Sequence, residues 1–483
     1  MRKTCVTLFV LLAGCAVGPD YRRPETAAVE AFRETPPGWK QAEPRDDIAR
    51  GKWWQVFGDP QLDALLEKID VSNQTLAASE AQYRQALAAL GVSRAALFPS
   101  LDANASAVRS RSPGSTLGGT TAGRTLTNYS ASLSADWELD LWGRVRRDVE
   151  SAQATARASA ADVGAARLSL QAQLATSYFQ LRALDVQRQL LDSAVEALKK
   201  SLELTENRYR QGVVARADVV QADAQLKSTL VQAVDLGVQR AQLEHAIAVL
   251  TGAPPSQLAI PNLDSYGIGV PAVPPGLPSA LLERRPDVAA AERRVQASNA
   301  QIGVAKAAYF PQLTLSGTTG FRSPDTASLF TAPSRFWSIG PAIVQSIFDA
   351  GLRRAQTEQA IAAYDATVAN YRQVALTALQ DVEDNLAALR ILEEEARAEE
   401  DAVQAARLSL SLVLNQYKAG TVSYLNVVTA QTALLNEERN AVGIRGRRLA
   451  AAVALIKALG GGWREADNSA SGTSDPAGHS QAK

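Results

Sequence analysis

The 483-residue sequence predicts a mainly helical protein with a β-barrel part, built twice in tandem. Three observations carry that expectation. Two proline-free stretches are far longer than an ordinary globular helix needs. Segments of two-residue alternation stand just before each of them. Landmarks in the first half recur in the second at a near-constant spacing.

The chain opens on Arg2 and Lys3, followed by an apolar run from Val6 to Ala13 that is too short to span a bilayer. Leu12, Ala13, Gly14 and Cys15 then resemble the lipobox of bacterial lipoproteins, in which the leader (here 1–14) is removed and the cysteine thiol is acylated. One acyl chain anchors marginally, whereas two or more anchor stably. An ordinary signal peptide with an incidental cysteine would carry the same local pattern. Cys5 leaves with the leader, so Cys15 keeps no disulfide partner. Ala16 and Val17 stand where an aspartate would alter sorting, which favours the outer membrane. Residues 15–56, punctuated by Pro24, Pro36, Pro37 and Pro44, read as an irregular tether.

Residues 57–270 form the first repeat: helix, hairpin 100–139, long helix, helix. Tyr129, Ala131, Leu133, Ala135, Trp137 and Leu139 are apolar, and Asn128, Ser130, Ser132, Ser134, Asp136 and Glu138 between them are polar. Leu101 to Ala107 alternates in the same way, a pattern that fits tilted membrane strands as well as the strands of a soluble sandwich. No proline occurs between Pro113 and Pro254, and the stretch is rich in strong helix formers. It accommodates a helix of about 65 residues, roughly 100 Å long, with a second helix after a break at Gly212. Residues 271–462 repeat the plan, with hairpin 311–347, a proline gap from Pro341 to Pro476 and a break at Gly420. Residues 463–483, rich in Ser, Gly and Asp, read as a disordered tail.

The duplication is visible residue by residue. Gly91-Val92 through Phe98-Pro99 recurs as Gly303-Val304 through Phe310-Pro311. Tyr209, Gly212, Val219, Val220 and Ala222 recur as Tyr417, Gly420, Val427, Val428 and Ala430. Four strands cannot close a barrel, and an open edge in lipid leaves backbone groups unpaired, so oligomerisation is required.

Composition excludes several classes of function. Lysine plus arginine equals aspartate plus glutamate at 50 each, without the basic excess of a nucleic-acid binder. His245 and His479 are the only histidines and Met1 the only methionine. No Ser-His-Asp or Cys-His set and no glycine-rich phosphate loop is available, so neither an enzyme nor a cofactor or metal is expected.

The run LLERRPDVAAAERRVQASNAQIGVAKAAYFPQLTL from Leu281 to Leu315 resembles the central signature of outer-membrane factors of the NodT/OprM type, within the TolC-like group. CAVGPDYRRP from Cys15 and WWQVFGDPQLDALLEKIDVSNQTL from Trp53 are similar to the start of that family. The resemblance covers residues 15–462. It implies a homotrimer whose strands close one 12-stranded outer-membrane barrel, continued by a periplasmic 12-helix tube. It also implies a gated exit duct, a periplasmic adaptor and an inner-membrane transporter of the resistance-nodulation-division type. The rival reading is a periplasmic coiled-coil adaptor or scaffold lipoprotein, which would carry one helical hairpin flanked by soluble β-domains.

By the same resemblance, Asp218 falls on an acidic gate position and Tyr417 on a tyrosine able to hydrogen-bond it. Its other reading is a solvated acid on a helix surface. Asn426 and Thr429 stand where TolC itself carries paired acids, and Val422 where it carries a locking arginine. Closure is therefore expected to rest more on packing of Tyr424, Leu425, Val427 and Val428. Gly212 and Gly420 serve as helix-break residues, and the family implies that they also touch adaptor hairpins. The acidic run Glu393, Glu394, Glu395, Glu399, Glu400 and Asp401 reads as a solvated helix face rather than a metal site. Arg284 and Arg285, before Pro286, read as structural residues of the connecting segment.

Overall fold

The computed structural model describes residues 16–26, 32–33, 52–111, 125–263, 269–271 and 285–461. The leader, Cys15, Arg284 and the tail 463–483 lie outside the described residues, as does much of the tether. Seven α-helices occur among the described residues: α1 (Pro60–Ser72), α2 (Gln74–Ala95), α3 (Arg144–Arg210), α4 (Arg216–Leu250), α5 (Pro286–Ala307), α6 (Leu352–Lys418) and α7 (Tyr424–Ala458). Strands β1 (Ser100–Arg111) and β2 (Thr125–Glu138) follow α2, and β3 (Gln312–Ser323) and β4 (Arg335–Val344) follow α5. The repeat is metrically close: α2 and α5 have 22 residues each, α3 and α6 have 67, and α4 and α7 have 35.

By contact density the chain divides into two compact units that cut across the repeat, each drawing segments from both halves. The first unit contains the sheet, ordered β1-β2-β3-β4 with every neighbouring pair antiparallel. Directly opposed residues share a face, so the register sorts the side chains. Leu101, Ala135, Leu313 and Ile343 belong to an apolar face, while Asp102, Asp136 and Ser316 belong to a polar one. Among the described residues the outer strands β1 and β4 each have one unpaired edge.

Residues 16–23 are pinned within this unit, although their composition reads as a loose tether. The N–H of Val17 donates to the Trp142 carbonyl (2.9 Å) and Asn299 donates to that of Pro19 (2.9 Å). Arg147, buried at 7 % exposure, donates to Asp20 (2.8 Å), and Arg23 pairs with Glu292 (3.2 Å). Trp142 stacks on Phe310 at 4.8 Å and donates its indole N–H to the Pro311 carbonyl (2.8 Å).

The second unit holds the main core. Asp59 caps α1, its carboxylate accepting the N–H groups of Gln61 (2.9 Å) and Leu62 (3.2 Å), and Pro60 occupies the first helical turn. The cap aims Leu62, Leu65, Leu66 and Ile69 at Leu174, Tyr178 and Phe179 of α3 and at Leu449 and Val453 of α7. Each such side chain contributes about 1.5–3 kcal/mol on burial. The Tyr178 hydroxyl donates to Asp59 (2.6 Å), tying cap and core together.

An ion-pair network closes the same unit. Arg182, fully buried, donates to Asp185 (2.7 Å) and to the Pro261 carbonyl (2.9 Å), and its guanidinium lies 4.8 Å from the centre of the Tyr178 ring. Arg240 reaches the other oxygen of Asp185 (2.7 Å) and the Ile260 carbonyl (2.7 Å). These bonds clip the segment after α4 against the helices. Arg182→Ala is expected to destabilise by about 3–5 kcal/mol, because it strips a buried carboxylate of one partner. Urea unfolding followed by tryptophan fluorescence checks it, and an unchanged midpoint would mean that Arg240 alone satisfies Asp185.

Candidate functional site

Both long helices end in the same backbone device. At the end of α3, Gly212 donates to the Tyr209 carbonyl (2.8 Å) and Val213 to that of Arg208 (2.9 Å). At the end of α6, Gly420 donates to Tyr417 (3.0 Å) and Thr421 to Gln416 (3.0 Å). These paired bonds satisfy the last helical carbonyls and require a left-handed residue at the glycine, where φ is +71° at Gly212 and +78° at Gly420. The chain then turns directly into α4 and α7.

The two ends differ in what they bury. Tyr209 is 44 % exposed, whereas its repeat mate Tyr417 is 2 % exposed. Tyr417, Tyr424, Val427 and Ala222 form a buried cluster with Val422 and Val428 against it. The Tyr417 and Tyr424 rings meet edge to face, 5.5 Å apart at 62°. Tyr417 shares a hydrogen bond with the hydroxyl of Thr205 (3.3 Å), and Tyr424 shares one with Ser201 (3.2 Å). Burial, with Tyr417 alongside, pushes the Tyr424 phenol above its ordinary pKa. Arg208 donates to the Tyr417 carbonyl (2.6 Å) while its guanidinium lies 4.6 Å from the centre of the Tyr417 ring.

Within one chain the tyrosine expected to meet Asp218 therefore meets Thr205. Asp218 lies half-buried in the first turn of α4, where its charge complements the helix N-terminus. Among the described residues no side chain is bonded to its carboxylate. Asn426 and Thr429 are exposed, and the Thr429 hydroxyl turns back to the Leu425 carbonyl (2.9 Å). Of the four residues expected to pack, Tyr424 and Val427 are buried and Val428 is half-buried, but Leu425 is 53 % exposed. Ser201, Thr205 and Arg208 escaped the sequence reading. Their spacing places three polar groups on one face of α3 just before its break, which is the signal that could have found them.

Two other groups have definite surroundings. Arg285 is buried, donates to both oxygens of Asp287 (3.0 and 2.6 Å), and reaches Asp381 (3.0 Å) and the Ala458 carbonyl (3.3 Å). It staples the start of α5 to α6 and α7. In the acidic run, Arg447 pairs with Glu395 (2.7 Å) and Arg390 with Glu394 (3.6 Å). Burial and the neighbouring Glu437 raise the pKa of Glu399.

A four-stranded sheet with one apolar and one polar face, continued by paired helices that turn back at glycine breaks, defines a channel-forming protein of the outer membrane. The chain belongs to the outer membrane efflux protein family, whose pattern matches residues 65–253 and 277–461. It is 35% identical over 464 residues to the toluene efflux pump outer membrane protein TtgC of Pseudomonas putida, covering 95% of each chain. It is 32% identical over 463 residues to the pyoverdine export outer membrane protein OpmQ of Pseudomonas aeruginosa, covering 95% of this chain and 96% of the other. The solved outer-membrane channel OprN superposes with a TM-score of 0.87 at 33% identity, over 93% of this chain and all of that one. The chain is an outer-membrane efflux duct extending into the periplasm.

At the tip, Tyr417→Phe removes one hydroxyl bond and should cost about 0.5–1.5 kcal/mol. Arg208→Ala loses both a carbonyl partner and the ring contact, so it should cost more. Limited proteolysis within residues 419–423 reads the difference. Equal cleavage rates in the two variants would count against Arg208 as the stronger tie.

Proposed function

We propose that three copies of this chain close into one conduit, each copy pairing its β4 edge with the β1 edge of the next. The observation that carries this reading is the pair of unpaired strand edges on a sheet with an apolar face. A lipid-exposed edge leaves every second backbone group without a partner, and closure is the only remedy available to strands. The likeness to a solved outer-membrane channel over its whole length supports the same closure.

The conduit is passive, with no reaction performed by the chain. Acylated Cys15 would hold it at the inner leaflet of the outer membrane, next in sequence to the pinned segment 16–23. A periplasmic adaptor and a proton-driven inner-membrane transporter of the resistance-nodulation-division type complete the assembly, the adaptor meeting the turns at Gly212 and Gly420. Toluene and pyoverdine, named for two relatives of similar identity, share little chemistry. That contrast supports placing cargo choice in the transporter rather than in the duct.

Three-fold symmetry would bring Asp218 carboxylates together as a cation-attracting ring near the narrowest point. The second-half ring is uncharged, since Asn426 is the repeat mate of Asp218. Closure then rests on the Tyr417–Tyr424 cluster of each copy. The assembly is tested by in-cell crosslinking from cysteines placed beside Gly212 and Gly420, with a heat-sensitive trimer as the expected species on gels. Recovery of monomer alone, with neither adaptor nor transporter, would refute it. For the gate, planar-bilayer recording of Asp218→Ala should show weaker cation selectivity, and Asn426→Asp stronger selectivity. If conductance and cation block both stay at the wild-type level in Asp218→Ala, that residue is not at the constriction.

A further inference from the structure

The loop end of the sheet carries a feature that conduction does not use. On the apolar face the register runs from Leu101, Ala103, Ala105 and Ala107 directly to Arg109 and Arg111 along β1. On β4 the same face carries Ile343, Ile339 and Trp337 and then Arg335, opposite Phe321. On the same face Tyr129, opposite Ala107, precedes the level of Arg109 and Arg111, Trp337 precedes Arg335 along β4, and Phe321 stands directly opposite Arg335. Aromatic side chains at that level mark the boundary between hydrocarbon and headgroups. Arg109 and Arg111 stand about 7 and 13 Å further along β1 than the residue opposite Tyr129, at the strand rise per residue.

All three arginines are exposed. Among the described residues no carboxylate pairs with any of them. The connecting segment 112–124 has no acidic residue in its sequence. Asp325, the one acid between β3 and β4, accepts the backbone N–H of Ala327 (3.4 Å). Arg322 belongs to the opposite face, where its guanidinium lies 5.0 Å from the centre of the Phe336 ring. The acids of the strands, Asp102, Asp136 and Glu138, are at the helix end and on the polar face. Exposed guanidinium groups with no carboxylate partner among the described residues, on the apolar face beside the aromatic side chains, suit an anionic partner. Phosphate matches their fork geometry with two parallel bonds.

We propose that Arg109, Arg111 and Arg335 bind the phosphate groups of an anionic glycolipid in the outer leaflet. The hydroxyls of Thr125 and Thr127, opposite Arg111 and Arg109 on the same face, add donors beside the charge. In a single chain Arg335 lies on the sheet edge opposite Arg109 and Arg111. Their convergence rests on the trimeric closure proposed above, which brings the β4 edge of one copy to the β1 edge of the next. Each seam would then bind one headgroup and staple two copies through lipid.

Native mass spectrometry of the detergent-extracted protein tests this with three probes: bis-phosphorylated lipid A, its dephosphorylated form, and inorganic phosphate. The wild-type trimer should bind the bis-phosphorylated lipid tighter than the dephosphorylated form by on the order of tenfold, as expected for charge-assisted bonds. The variant with Arg109→Gln, Arg111→Gln and Arg335→Gln should lose that preference, and Arg322→Gln should keep it. Binding of inorganic phosphate as tight as that of the lipid would overturn the lipid assignment. Equal binding of both lipids to wild type, or full preference in an intact trimer of the triple variant, would overturn the site. A monomeric wild type that still prefers the phosphorylated lipid would count against trimeric closure alone and support the arginines as its readers.

Discussion

A β-sheet in hydrocarbon must pair every backbone N–H and C=O with another protein group, because no water is present to take their place. The sheet here has four strands and two open edges. The alternation along β1 to β4 sends one set of side chains toward lipid and the other toward a polar interior. The strands lead into helices whose length exceeds what a globular core could bury. Neither part is complete in a single copy, and the closure proposed above would satisfy both.

Duplication solves half of the construction problem and creates another. Two copies of a helix-hairpin-helix plan give equal lengths to corresponding helices and the same glycine device at both turns. Corresponding positions need not have the same role once the copies pack against each other. Tyr417 is buried between α3 and the α6–α7 turn, while Tyr209 faces outward. Polar groups of the first half, Ser201, Thr205 and Arg208, became partners for aromatic rings of the second. The tip is therefore asymmetric within each chain, with the charge of Asp218 on one side and the tyrosine cluster on the other.

Charge is distributed on the same logic. Arg182 and Asp185 are buried and paired, and half-buried Arg240 takes the other oxygen of Asp185, as burial demands. Arg285, at the start of α5, is likewise satisfied by Asp287, Asp381 and a helix-terminal carbonyl. Among the described residues the arginines at the loop end of the sheet have no such partners. Their position on the lipid-facing side, rather than the polar one, separates them from a role in conduction.

Much of this was legible in the residues themselves. Proline placement bounded the two stretches that hold α3 with α4 and α6 with α7, because proline cannot continue a helix interior. Two-residue alternation located all four strands, since that period follows from the pleat alone. The recurrence of Gly212 as Gly420 marked both turns, where a left-handed residue is needed. Those features depend only on local chemistry and on period. The partners of Tyr417 were not legible, because Thr205 is 212 residues away and any of several helix faces could have met it. The pinning of residues 16–23 against Trp142 and Asn299 was hidden for the same reason, and their proline-bearing composition suggested only a loose tether. Sequence by itself determined which elements form and where they break. Tertiary structure alone decided which faces meet, because contact between distant segments depends on how the helices pack and not on any local pattern.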